Sequence, residues 1–139
     1  MRLQLTRRGD YAVRAVLALT EADRVVATPE LAERMEIPVN FLPQIMPGLV
    51  RRGILKRRLG RHGGYELARP AESITLLEVI EAGEATTPAP PPCVLRGDRC
   101  NPSQPCRIHP AVTRASEAMR SVLAAANFAS LRNGASFEL

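Results

Sequence analysis

Three cysteines and a histidine follow one another closely in this chain: Cys93, Cys100, Cys106 and His109, spaced C-x6-C-x5-C-x2-H. Thiolates and imidazole are the side chains that hold soft and borderline metals. An odd number of cysteines behind a start, MRLQLTRRGDYAV, that has no apolar signal segment argues against a disulfide framework. Proline, glycine and charged neighbours argue against three thiols sunk in an apolar core. Zinc usually draws on cysteine pairs two to four residues apart, which this loop lacks, so Cys3His zinc is the alternative. Wider spacing around a larger inorganic core suits an iron-sulfur cluster. The expected metal ligands are therefore Cys93, Cys100 and Cys106, with His109 able to complete the set. No nucleophile and base pair, phosphate loop or carboxylate pair accompanies them, so the chain is not expected to be an enzyme.

The cysteines lie in residues 85–110, where Pro88, Pro90, Pro91, Pro92, Pro102, Pro105 and Pro110 exclude regular structure. Ahead of this loop, Tyr11, Ala12, Ala15, Val16, Ala18 and Leu19 recur at helical spacing behind Thr6 as a cap, which predicts a helix over residues 6–21. Thr28-Pro29-Glu30 supplies a cap, a first-position proline and a first-turn acid to a short second helix containing Leu31, Ala32 and Met35. Glu36-Ile37-Pro38 breaks it. Asn40 can then cap a third helix with Phe41, Leu42, Ile45, Met46, Leu49 and Val50 inward, ending at Gly53. Two helices joined by a tight turn form a helix-turn-helix.

Residues 54–58 and 65–68, around the glycine-rich stretch 60–64, read as a basic hairpin, or wing. Thr75 and Glu78 have capping-box spacing for a fourth helix that buries Leu76, Val79 and Ile80 and stops at Gly83. Beyond the loop, Val112, Ala115, Met119, Val122, Ala126 and Ala129 alternate three and four apart. That is a coiled-coil seam and predicts a dimerisation helix, with a helix packed on its own domain as the alternative. The expected fold is mainly α: a winged helix-turn-helix head at 1–84, a metal-binding loop at 85–110, a long dimerisation helix at 111–131 and a tail at 132–139.

Charge points to the partner. The net charge is +5, and Arg51, Arg52, Lys56, Arg57, Arg58 and Arg61 crowd into residues 51–61, a polycation suited to duplex DNA. A third helix docked in a major groove presents the residues near its start, here Val39, Asn40 and Gln44; Gln44 matches adenine and Val39 a thymine methyl. Thr28, Arg51, Arg52, Arg58, Arg61 and His62 complete the expected DNA contacts. Pro47 removes a helical hydrogen bond from this third helix and implies a kink or an early helix start. No run of about 18 apolar residues is present, so a cytoplasmic chain that makes no membrane contact is expected.

MRLQLTRRGDYAVRAV, GRHGGYELARPAESITLLEVIEAGE and the three-cysteine loop together resemble the family of winged-helix repressors that includes the iron-sulfur cluster regulator and the nitric-oxide-sensitive repressor. The resemblance spans nearly the whole chain. It implies a homodimer with a long C-terminal helix crossing between subunits, and a 2Fe-2S or 4Fe-4S cluster on Cys93, Cys100 and Cys106. For the fourth ligand it implies either His109, as in the cluster-regulator branch, or Asp10 from the partner subunit, as in the nitric-oxide-sensing branch. His109 is preferred because it needs no second chain. The function expected is a transcriptional regulator, a repressor by this resemblance, that senses iron-sulfur, redox or nitric oxide status; the alternative is a zinc-containing or metal-free thiol regulator.

Overall fold

Thr6 opens α1 (Arg7–Ala22), its hydroxyl accepting the Gly9 N–H at 3.1 Å. A computed structural model describes residues 4–85, 93, 95, 100, 101 and 103–132. The proline run at 88–92 and all of the expected tail but Arg132 lie outside them. α1 ends at Asp23, whose left-handed conformation returns its N–H to the Leu19 carbonyl. α2 (Thr28–Arg34) starts one residue earlier than expected: Ala27, not Thr28, is the cap, and its carbonyl accepts the Leu31 N–H at 2.9 Å. Pro29 has no N–H to satisfy, so a capping side chain is dispensable there.

Asn40 likewise does not cap the third helix. Residues Val39–Phe41 form a 3-10 turn, Phe41 donating to the Pro38 carbonyl, and α3 (Leu42–Arg51) follows with no side-chain cap. Pro43 occupies its first turn, where the missing N–H costs nothing. The helix then continues through Pro47, which is exposed, and stops at Arg51. The α-helix thus begins at Leu42, one residue later than an Asn40 cap would place it, with the 3-10 turn ahead of it. Glu36, in the turn between α2 and α3, takes φ 51°, a conformation its sequence did not announce.

β1 (Leu55–Arg58) and β2 (Gly64–Leu67) pair antiparallel with Leu55 opposite Leu67 and Arg58 opposite Gly64. Val26 adds a further rung through two 2.9 Å bonds with Tyr65. Its carbonyl passes so close to Gly64 that a Cβ there would stand 2.1 Å away, which is why the strand begins on glycine. α4 (Leu76–Glu84) carries the expected capping box: Thr75 and Glu78 satisfy each other's backbone N–H groups.

Gly83 does not stop α4. It lies buried inside the helix, and the left-handed residue that ends the helix is Ala85. Packing explains the glycine instead, since α4 presses on α1 there.

The expected single helix over 111–131 is two. α5 (His109–Ala125) ends at a break where Leu76 N–H bonds the Ala126 carbonyl at 2.8 Å and Phe128 N–H bonds the Ile74 carbonyl at 3.0 Å. α6 (Phe128–Arg132) then inserts Phe128, wholly buried, into the core formed by Ala12, Val16, Leu19, Leu31, Ile45, Leu49 and Val79. Asn127 fixes this turn, its Oδ1 accepting the Ser130 N–H at 2.9 Å. No helix of the described residues is long and apolar enough to cross a membrane.

Candidate metal centre and nucleic-acid face

Two bonds shape the chain around the last two cysteines. Gln104 N–H donates to the Asn101 carbonyl at 3.1 Å, and His109 N–H donates to the Cys106 carbonyl at 3.0 Å. Cys93 Sγ lies 3.8 Å and Cys100 Sγ 3.6 Å from Cys106 Sγ, and all three sulfurs fall within 4.8 Å of one another. These separations are far beyond the roughly 2.05 Å of a disulfide. Cys93 is buried and the other two are half-buried.

At Cys100 the largest single influence, a backbone hydrogen bond at Cys106, favours the thiolate. The opposing hydrogen bond from Cys93, burial and the Cys106 sulfur together push its pKa above the ordinary thiol value. A metal cation bound at the Cys100 sulfur would displace this proton, as ligation by thiolate requires.

His109 stands exposed at the start of α5 and is not among the residues whose ligand atoms converge. Asp10 lies in the first turn of α1, where its carboxylate pairs with Arg14 at 3.0 Å. Arg14 also stands over the Tyr11 ring and donates to the Met35 carbonyl, and Tyr11 meets Phe41 edge to face at 5.1 Å. Asp10 is therefore built into the joint between α1 and the helix-turn-helix.

The residues expected to contact DNA lie on α2, the α3 region and the hairpin. Val39, Asn40 and Gln44 are exposed at the start of the α3 region, and Gln44 folds its amide back onto the Asn40 carbonyl at 3.2 Å. Thr28 is half-buried at the start of α2. Arg51, Arg61 and His62 are exposed, and among the described residues neither arginine has an ion-pair partner. The other two arginines are partly committed: Arg58 reaches Glu66 across the hairpin at 2.6 Å, and Arg52 lies 3.6 Å from Glu81.

Several structural residues escaped the sequence reading. Arg69, at the wing exit, bonds Ser73 and pairs with Glu78 at 2.6 Å, tying the hairpin to the start of α4. Arg8 bridges two backbone carbonyls and Glu81 links two arginines. Neither has a spacing signal, because their partners lie far off in sequence.

The comparisons agree with this architecture. The Rrf2 family, described as iron-dependent transcriptional regulators, matches residues 5–134. The HTH-type transcriptional regulator IscR of Cereibacter sphaeroides is 37% identical over 91 residues, which cover 63% of this chain and 59% of that protein. Protein aau3 of Rhizobium meliloti is 31% identical over 123 residues, covering 87% and 79% of the two chains. The oxidized form of Staphylococcus aureus CymR superposes with a TM-score of 0.75 at 20% identity, over 96% of this chain and 99% of that one, a likeness of fold. The chain thus spans well under two thirds of the IscR it matches. With a winged helix-turn-helix, three converging cysteines and a family match over almost every residue, this chain belongs to the Rrf2 family of transcriptional regulators, and not to a family of enzymes.

Proposed function

We propose that the protein is a homodimeric regulator that binds duplex DNA and whose affinity depends on a metal centre held by Cys93, Cys100 and Cys106. The observation that carries this reading is the approach of three thiols to within 4.8 Å on the chain that leads out of a winged-helix head. The residues fit such a group: soft donors converge, one of them is buried, and no disulfide competes. The iron dependence in the family's description favours an iron-sulfur cluster, which, when bound, supplies chemistry with electrons, oxygen and nitric oxide. His109 and the partner subunit's Asp10 remain the candidate fourth ligands.

The chain's own residues do the rest. Val39, Asn40 and Gln44 face base edges, Thr28, Arg51 and Arg52 face phosphates, and Arg58, Arg61 and His62 place charge on the wing. The dimer rests on the exposed apolar stripe of α5, where Val122 is 69% exposed and Met119 38%. An exposed stripe at seam spacing suits a second copy of the chain.

One observation favours a second reading, a single tetrahedral metal ion such as zinc. Metal–sulfur bonds of about 2.3 Å at tetrahedral angles set sulfurs about 3.8 Å apart, and the sulfurs here stand 3.6 and 3.8 Å apart. Thiolates spread over separate irons of one cluster sit farther apart. Anaerobic purification followed by a visible spectrum, with iron, sulfide and zinc analysis, separates the two. Brown protein with iron and sulfide supports the cluster, whereas colourless protein with stoichiometric zinc assigns the single ion.

A further inference from the structure

We infer that Arg8 is a positioning residue for α3, fastening it to the end of α4 that runs into the cysteine loop. Its Nε donates to the Gly83 carbonyl at 3.1 Å and its Nη2 to the Gln44 carbonyl at 2.7 Å. A rigid guanidinium fork can serve two fixed carbonyls at once; a lysine ammonium on a flexible stem holds no such geometry. Gly83 lies in the last turn of α4 and Gln44 in the helix assigned to the major groove, so one side chain spans the sensor end and the reading helix.

The surroundings make this joint stiff. Glu84, the last residue of α4, accepts from the Thr6 backbone N–H at 3.3 Å and its hydroxyl at 2.9 Å, locking α4 to the cap of α1. A Cβ on Gly48 of α3 would stand 2.6 Å from the Ala82 carbonyl, and one on Gly83 2.4 Å from the Ala12 Cβ. The end of α4 is therefore wedged between α1 and α3 without slack, and close-packed interfaces transmit displacement instead of absorbing it. Cys93 follows Ala85 by eight residues. A change in the loop that pulls on α4 reaches Gln44 through Arg8.

A second lead is available to the loop. α5 leaves it on the other side, and Glu81 joins Arg120 of α5 at 2.6 Å to Arg52 at the end of α3. That link is an exposed ion pair, which is weak and salt-screened, whereas the Arg8 bridge is anchored on backbone. The main coupling is accordingly assigned to Arg8.

This inference rests on the proposed metal-dependent regulation. The test uses the full chain, as purified anaerobically and after metal removal, with a duplex selected by the wild-type protein from a random-sequence pool. Affinities are measured for wild type, Arg8→Lys and Glu81→Gln, and amide hydrogen exchange across residues 45–50 is followed in the wild type. The wild type should show a loaded-to-stripped affinity ratio of about 5- to 150-fold, and α3 amides should exchange faster after stripping. Arg8→Lys should bring the ratio below twofold with metal content and spectrum unchanged, while Glu81→Gln keeps most of it. A wild-type ratio in Arg8→Lys, or collapse in Glu81→Gln alone, overturns the assignment, as does unchanged α3 exchange in the wild type. A wild-type ratio within twofold instead removes the regulatory reading itself, and the role of Arg8 with it.

Discussion

Gly83 of α4 meets Ala12 of α1 so closely that a Cβ on Gly83 would lie 2.4 Å from the Ala12 Cβ and 2.9 Å from the Arg8 carbonyl. Neither neighbour is the loose end of a side chain. Gly83→Ala must push α1 and α4 apart, and overpacking of this kind costs about 1–3 kcal/mol. Urea denaturation should show the loss; an unchanged midpoint would mean that the helices are not in the contact described.

Phe128 is a second test of the architecture. Its ring is wholly buried between α1 and the turn that starts α4, so Phe128→Ala should cost about 3–5 kcal/mol. If α6 instead belonged to a continuous dimer helix projecting from the head, the substitution would alter association and leave the stability of the head intact.

The sequence carried the head well and the C-terminal segment poorly, for physical reasons. Thr6, the capping box of Thr75 and Glu78 and the glycine-bounded hairpin are local signals, readable because the partner groups lie within a few residues. Asn127 has the same capping chemistry but was hidden by the apolar spacing of Val122, Ala126 and Ala129, which continues straight through the break. Gly83 has two meanings, helix stop and close approach, and only tertiary contact with Ala12 selects the second. At the cysteine loop the spacing singled out the three thiols but left open how near their sulfurs approach, which loop spacing does not fix. Arg8, Arg69 and Glu81 left no trace, their partners being set by the fold.

Wing electrostatics give a prediction with a direction. Glu66 holds Arg58 at 2.6 Å, while Arg61 has no ion-pair partner among the described residues. Arg61→Ala should weaken duplex binding by about 1–3 kcal/mol if the side chain enters a groove, and Glu66→Gln should strengthen it by releasing Arg58. With about six phosphates neutralised by a dimer, log K against log salt should slope near −5. Fluorescence anisotropy across a salt series checks all three; a flat salt dependence removes the DNA-binding face.

The exposed stripe of α5 predicts the oligomeric state. Val122 is largely exposed and none of α5 is fully buried, so Val122→Glu places a charge where a second copy is proposed to pack. Sedimentation should find a dimer for the wild type and monomer for the variant, with melting temperatures a few degrees apart at most. A dimer indifferent to Val122→Glu would move the interface elsewhere.

Cys106 Sγ lies 3.6 and 3.8 Å from the other two sulfurs, so Cys106→Ala should lose bound metal completely. Replacing His109 and Asp10 separately should change the spectrum for the true fourth ligand only. Metal retained by Cys106→Ala would detach the three thiols from the metal.

The central claim is that the metal centre sets DNA affinity, and the direct measurement is the equilibrium affinity of wild-type dimer for one selected duplex, metal-loaded and metal-free, at a single salt concentration. The account predicts a difference of about 5- to 150-fold, the span of a typical coupling of 1–3 kcal/mol. Equal affinities within twofold would contradict it, and leave Cys93, Cys100 and Cys106 with a structural role only.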